Sequence, residues 1–182
     1  MDACVLTAID ARYPARVRER LGDGAPAQLT TLGNLSLLAL PKTALFCSAK
    51  APGAAILRTY DAARCMRDDG IPVISGFHSP IEKECLRILL RGKQPIILCP
   101  ARAIEAMRIP TECRAAFDAG RLLFLSPFIQ KPRRVTKDSA FDRNKLVAAL
   151  ADEAYIAHIS PGGQISQIVD MLKKWHVPLI AI

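Results

Sequence analysis

The chain has 182 residues, 51% of them hydrophobic and 23% charged, a size and balance that suit one domain with a full apolar core and exclude a disordered chain or multidomain machinery. Twenty-five Lys and Arg against seventeen Asp and Glu leave a formal net charge of +8, which favours polyanionic partners. No run approaches the roughly 20 apolar residues of a membrane span, and the start lacks a basic and then apolar secretory leader, so a cytoplasmic protein without a membrane partner is expected.

The first 42 residues read as an N-terminal extension packed on the core, with helical period over Ala11–Leu21, a turn at Gly22–Pro26 and a mixed stretch over Leu29–Leu40. From Thr43 onward, over 43–182, short β-rich runs alternate with helical stretches, the pattern of βαβ units around a parallel sheet. Six strands are predicted: Thr43–Cys47, Pro72–Ser75, Pro95–Cys99, Leu122–Ser126, Ala154–Ile159 and Pro178–Ile182. Helices are predicted over Gly53–Asp69, Ser79–Arg91, Ala101–Met107, Thr111–Ala119, Ser139–Asp152 and Gly163–Trp175. Ile81, Cys85, Leu86, Leu89 and Leu90 form one apolar stripe, leaving Glu82, Lys83, Glu84 and Arg87 outside it. Gly70, Gly92 and Gly120 each end a helical stretch before a strand. The expected fold is α/β: a Rossmann-like, doubly wound, mostly parallel sheet of about six strands, with helices on both faces and a short N-terminal helical extension.

The six cysteines, at 4, 47, 65, 85, 99 and 113, show neither CxxC pairs nor zinc spacing and read as reduced thiols. His78, His158 and His176 are scattered, and phosphate-loop, zinc-protease and serine-hydrolase signatures do not occur. No metal, cofactor or catalytic residue is expected, and binding is favoured over catalysis. Gly22-Asp23-Gly24-Ala25-Pro26-Ala27 fits GxGxxA but follows a helix, so it reads as a turn.

An open α/β sheet places ligands at the carboxyl ends of its strands, and three of these ends are unusual. Cys47-Ser48-Ala49-Lys50 offers small residues with a hydroxyl and an ammonium for an anion. Ser75-Gly76-Phe77-His78-Ser79-Pro80 joins a glycine, hydroxyls and an imidazole at a helix start, with Ser79 as N-cap and Pro80 at N1. Ser160-Pro161-Gly162-Gly163-Gln164 sets a glycine pair before a helix. Ser48, Lys50, Ser75, Gly76, His78, Gly162 and Gly163 are therefore candidate phosphate contacts. The charge concentrates in Lys131–Lys145 and Lys83–Arg108, each with six basic and two acidic residues. Arg133, Arg134, Arg143, Asn144 and Lys145 in the first cluster are candidate nucleic-acid contacts. Aromatic residues are few (5%), which leaves Tyr13, Phe77 and Phe141 as the candidates for base stacking.

Several of these segments resemble the DNA-processing family DprA/Smf, within the wider group of Rossmann-like nucleotide-binding proteins. Tyr13-Pro14 and Gly33-Asn34 resemble its lead-in, and Leu45-Phe46-Cys47-Ser48-Ala49-Lys50 occupies the place of its Val-Gly-[Ser/Thr]-Arg loop. Val73-Ile74-Ser75-Gly76 matches its Val-Val-Ser-Gly strand end, and Phe141-Asp142-Arg143-Asn144-Lys145 resembles its Phe-Pro-x-Arg-Asn-Arg segment. Cys47 stands in place of the loop glycine, and Ala49 in place of its arginine. The resemblance implies single-stranded DNA binding at a basic pocket, a homodimer, and a RecA-type recombinase as partner in DNA uptake, natural transformation and recombination. A second resemblance, of Pro161-Gly162-Gly163-Gln164-Ile165-Ser166-Gln167-Ile168-Val169 to the Pro-Gly-Gly-x-Gly-Thr-x-x-Glu motif of LOG-type proteins, implies a nucleotide-binding sensor or a nucleoside-phosphate phosphoribohydrolase. Val169 there replaces the catalytic acid.

Overall fold

Ala44 and Phe46 face one hydrophobic cluster while Leu45 and Cys47 face another, the two-residue alternation of a strand buried on both faces. The same alternation recurs at Val73 and Ile74, at Ile96 and Ile97, and at Leu122 to Leu125. One sheet therefore lies between two apolar layers. The computed structural model describes residues 3–48, 50–105, 107–129, 135–160 and 162–180. In chain order its strands and helices are β1 (Cys4–Thr7), α1 (Ala15–Leu21), β2 (Gln28–Gly33), β3 (Thr43–Phe46), α2 (Gly53–Asp68), β4 (Val73–Ser75), α3 (Pro80–Leu90), β5 (Ile96–Leu98), α4 (Arg114–Asp118), β6 (Leu122–Ser126), α5 (Lys137–Leu150), β7 (Glu153–Ile156), α6 (Gln164–Lys174) and β8 (Leu179–Ile180).

The strand order is β1-β2-β6-β5-β4-β3-β7-β8. From β6 to β8 the pairing is parallel, whereas β2 runs antiparallel to both β1 and β6. The chain winds from β3 outward to β6 and then returns to the other side of β3 with β7. The carboxyl ends of β3 and β7 therefore flank the switch point of the fold, where open α/β sheets hold ligands.

Among the described residues the sheet has eight strands rather than about six. The two extra strands, β1 and β2, come from the region expected to be a helical extension. Leu6 is the one buried side chain of β1, and β2 buries the polar Thr30 and Thr31 between its neighbours, so neither segment has a readable apolar pattern. The Thr31 hydroxyl donates to the Cys4 carbonyl. Helix α1 begins after Pro14, and Ala101–Met107, expected to be helical, forms no helix among the described residues.

Helix α5 lies between the sheet and α1, and its residues Leu146 to Leu150 are all buried. Arg20 of α1 donates to the carbonyls of Ala148, Ala149 and Ala151, which satisfies the orphan acceptors at the C-terminus of α5 and places a cation at its negative end. Arg16 pairs with Asp152 at 2.5 Å, and the Asp152 carboxylate also accepts the Lys42 backbone N–H at 2.9 Å. No helix among the described residues is long and apolar enough to cross a membrane.

Candidate functional site

A cavity of about 620 Å³ opens at the switch point and is lined from the loops after β3, β4 and β7 and from α3, α5 and the start of α6. It gathers Ser48 and Lys50 beyond β3, His78 beyond β4, Gly162 and Gly163 beyond β7, and Arg143 and Asn144 of α5. Seven of the candidate residues, scattered through the sequence, thus line one cavity.

The loops after β3 and β7 hold each other. The Ser48 N–H donates to the His158 carbonyl at 3.1 Å, and its hydroxyl accepts the Ser160 N–H at 3.0 Å. The Ser160 hydroxyl donates to the Lys50 carbonyl at 3.1 Å. Gly162 has a φ of +67°, a left-handed conformation that glycine adopts without steric cost. A Cβ on Gly163 would crowd the Ser160 carbonyl at 3.0 Å. Helix α6 starts there without a side-chain cap, and the positive end of its dipole favours an anion; the Gly163 N–H donates to the Ser160 carbonyl at 3.0 Å and the Ser166 N–H to the Gly163 carbonyl at 3.2 Å.

Glu82, which lies outside the apolar stripe of α3, is nevertheless buried and organises the β4 loop. Its carboxylate accepts N–H groups from Cys47 at 3.2 Å, His78 at 2.9 Å and Ser79 at 3.1 Å. With the Ser79 hydroxyl accepting the Glu82 N–H at 3.2 Å, this is a capping box. Serine three residues before glutamate was the sequence signal for it. The imidazole of His78 is pushed below its ordinary pKa by burial, with Arg143 and Lys83 adding to the effect and Glu82 opposing it. Burial pushes the Cys47 thiol up to about 12, and Glu82 adds to that; this thiol stays protonated near neutrality and offers no thiolate nucleophile.

Arg143 is only 3% exposed, and its Nη1 donates to the Cys99 carbonyl at 3.0 Å. Burial lowers its pKa, with Glu82 and Cys99 opposing, yet a guanidinium in such a setting keeps its proton. Asn144 and Lys137 complete the α5 side of the cavity. Lys137 was missed among the single residues read from the sequence, although it lies in one of the two basic clusters. Its carbonyl accepts the Gln164 side-chain amide at 3.0 Å, linking α5 to α6.

Other candidates lie elsewhere. Ser75 is 1% exposed; its hydroxyl donates to the Leu45 carbonyl at 2.7 Å and accepts the Phe77 N–H at 3.3 Å. It holds β4 to β3 and does not line the cavity. Gly76 leaves room for the Arg143 guanidinium, which occupies the position a Cβ would take. Lys145 pairs with Asp142 at 2.7 Å and sits 5.4 Å from the Phe141 ring centre, lining a separate depression with Leu21 and Phe128. Arg133 and Arg134 fall outside the described residues. Tyr13 and Phe77 are core residues at 2% and 4% exposure, so neither offers a face for stacking. Val169, at the place of the LOG-type acid, is buried in the core.

The chain matches the family model of DNA recombination-mediator protein A over residues 4–163. Among curated proteins none matches it by sequence. Two solved structures share its fold. DNA processing protein A of Streptococcus pneumoniae superposes with a TM-score of 0.77 at 18% identity, covering 97% of this chain and 61% of that one. DNA processing protein A of Helicobacter pylori, a structure concerned with that protein's single-stranded DNA binding mode, gives 0.74 at 21% identity, covering 97% and 79%. The chain therefore spans about three-fifths of the length of the Streptococcus pneumoniae protein. With the family model extending over most of the sequence and through every loop of the switch-point cavity, the chain belongs to the DNA recombination-mediator protein A family.

Proposed function

We infer that this chain is a cytoplasmic DNA-processing protein that binds single-stranded DNA through its phosphates in the switch-point cavity. The observation that carries this reading is the convergence of Lys50, Lys137 and Arg143 on the uncapped start of α6 at Gly162 and Gly163. Cations and a helix N-terminus lining one cavity attract a phosphate backbone without reading its bases. Family membership and the Helicobacter pylori relative's association with single-stranded DNA support the same ligand. By family resemblance the reading extends to a homodimer and to a RecA-type recombinase as partner.

Fluorescence anisotropy of a labelled oligothymidine at rising salt tests the reading. Affinity is expected to fall linearly on logarithmic axes, and Lys50→Ala and Lys137→Ala should each make the slope shallower by about 0.7, the share of one phosphate contact on a single strand. Absent or salt-independent binding would overturn it. The oligomeric state, measured with and without the oligonucleotide, tests the dimer separately.

A further inference from the structure

A second cavity, of about 360 Å³, lies on the far side of His78 and Arg143 at the carboxyl ends of β4 and β5. His78 and Arg143 line both cavities, so they form the partition between them. The two basic clusters of the sequence meet here: Lys83, Arg87 and Arg102 come from one and Arg143 from the other. Arg87 is engaged with Glu84 at 3.0 Å and lies 4.0 Å from Glu112, the one carboxylate among the residues lining this cavity, so the lining carries four cations against one anion. Lys83 and Arg102 are exposed and make no ion pair among the described residues.

Arg143 brings a second observation. Its Nη1 is bound to the Cys99 carbonyl, but its buried Nε has no acceptor. The Nε itself is sealed from solvent, but a buried charge left partly uncompensated costs free energy that an anion in an adjoining cavity recovers in part. Besides the cations, Leu86, Leu98 and Ala101 give the cavity apolar lining. Its volume falls at the lower end of the roughly 300–1,000 Å³ of small-molecule sites, which suits a single compact ligand better than an extended strand. The charge calls for an anion, and the apolar lining for a flat organic body attached to it.

We propose that this second cavity binds one nucleoside phosphate, its phosphate drawn to Lys83, Arg102 and the Arg143 guanidinium and its base laid against Leu86 and Leu98. The nucleotide is either free or the phosphorylated end of a strand, and the two sources share the same chemistry. This site adjoins the switch-point cavity and shares His78 and Arg143 with it, but its own cations Lys83 and Arg102 lie outside that cavity, so it does not require that the latter bind DNA.

The experiment is calorimetric titration of the full chain with AMP and dTMP, and with inorganic phosphate and adenosine as controls. Both nucleotides should bind saturably and more tightly than either control. Arg102→Glu should weaken them by about tenfold or more, the usual effect of losing a charged hydrogen bond. Its side chain is exposed and only its backbone carbonyl is used in the fold, accepting the Ser126 hydroxyl at 2.7 Å, so the variant is expected to fold. Lys83→Glu should act in the same direction. Lys50→Glu, in the switch-point cavity, should leave nucleotide binding unchanged while weakening oligothymidine. A second titration compares 5′-phosphorylated with 5′-hydroxyl oligothymidine: a preference for the phosphorylated end that Arg102→Glu abolishes assigns the site to strand ends, and no preference assigns it to free nucleotide. No saturable nucleotide binding, inorganic phosphate binding as tightly as AMP, or loss of nucleotide binding in Lys50→Glu but not in Arg102→Glu would each overturn the proposal. Oligothymidine binding lost in Lys50→Glu alone would leave the DNA reading standing regardless.

Discussion

The guanidinium of Arg143 fills the space where a side chain on Gly76 would begin. The glycine after β4 is thus the seat of the cation that separates the two cavities, and the two residues form one unit although 67 positions apart in the chain. Gly76→Ala should evict the guanidinium from the Cys99 carbonyl and strand a buried charge. Such a change costs about 3 kcal/mol, read as a lower midpoint in urea denaturation. Oligothymidine affinity should fall in the same variant, and a wild-type midpoint would show that Arg143 can be rehoused without cost.

Asp152 joins the N-terminal region to the core by accepting from Arg16 and from the Lys42 backbone, while the Lys42 ammonium, 4% exposed, lies 3.8 Å away. Burial alone would raise the carboxyl pKa, but the hydrogen bonds from Arg16 and Lys42 and their charges outweigh it and hold it below the ordinary value. A depressed folded-state pKa means that the unfolded chain binds the proton more readily. This stabilisation is complete above the ordinary carboxylate value of about 3.9 and is lost as pH falls through the lower folded value. Asp152→Asn should therefore destabilise by about 2 kcal/mol at pH 7, by leaving the Lys42 charge short of its counter-ion, and the gap to wild type should close on acidification. Thermal melts of both proteins between pH 7 and 2 check this; a gap independent of pH would show that geometry and not charge is at work.

Four thiols should resist chemistry in the folded state. Burial pushes Cys47, Cys85 and Cys99 up to about 12 and Cys113 up to about 11, and reaction requires the thiolate. Cys65, exposed on α2, should alkylate first with iodoacetamide at pH 8, with the four buried thiols following only in denaturant. Peptide mass mapping gives the order, and early labelling of Cys99 would mean that the sheet opens locally at β5.

The central strands were legible because burial on both faces demands continuous apolar runs, as in Leu45-Phe46 and Ile96-Ile97-Leu98. Helix α3 was equally plain, with its stripe and its Ser79-Pro80 start. The N-terminal strands were not. The burial of Thr30 and Thr31 depends on β1 and β6 lying on either side, and β6 is about 90 positions away in the chain. Glu82 is legible only in part: the His78 and Ser79 N–H groups it accepts are local to its capping box, whereas the Cys47 N–H that completes its burial comes from the β3 loop, 35 positions away and brought to it by folding.

By itself the sequence determined the α/β architecture, the small-residue loops at the strand ends and the two basic clusters, because periodicity, turn chemistry and charge are local properties. Only the tertiary structure decided that Ser48, Lys50, His78, Arg143, Asn144 and the Gly162-Gly163 turn share one cavity, and that Ser75 and Lys145 are engaged elsewhere. It also brought Lys83, Arg87 and Arg102 of one basic cluster and Arg143 of the other to the walls of a second cavity. Which side chains remain free for a ligand depends on the hydrogen bonds and steric space supplied by residues distant in sequence, as Gly76 supplies it for Arg143.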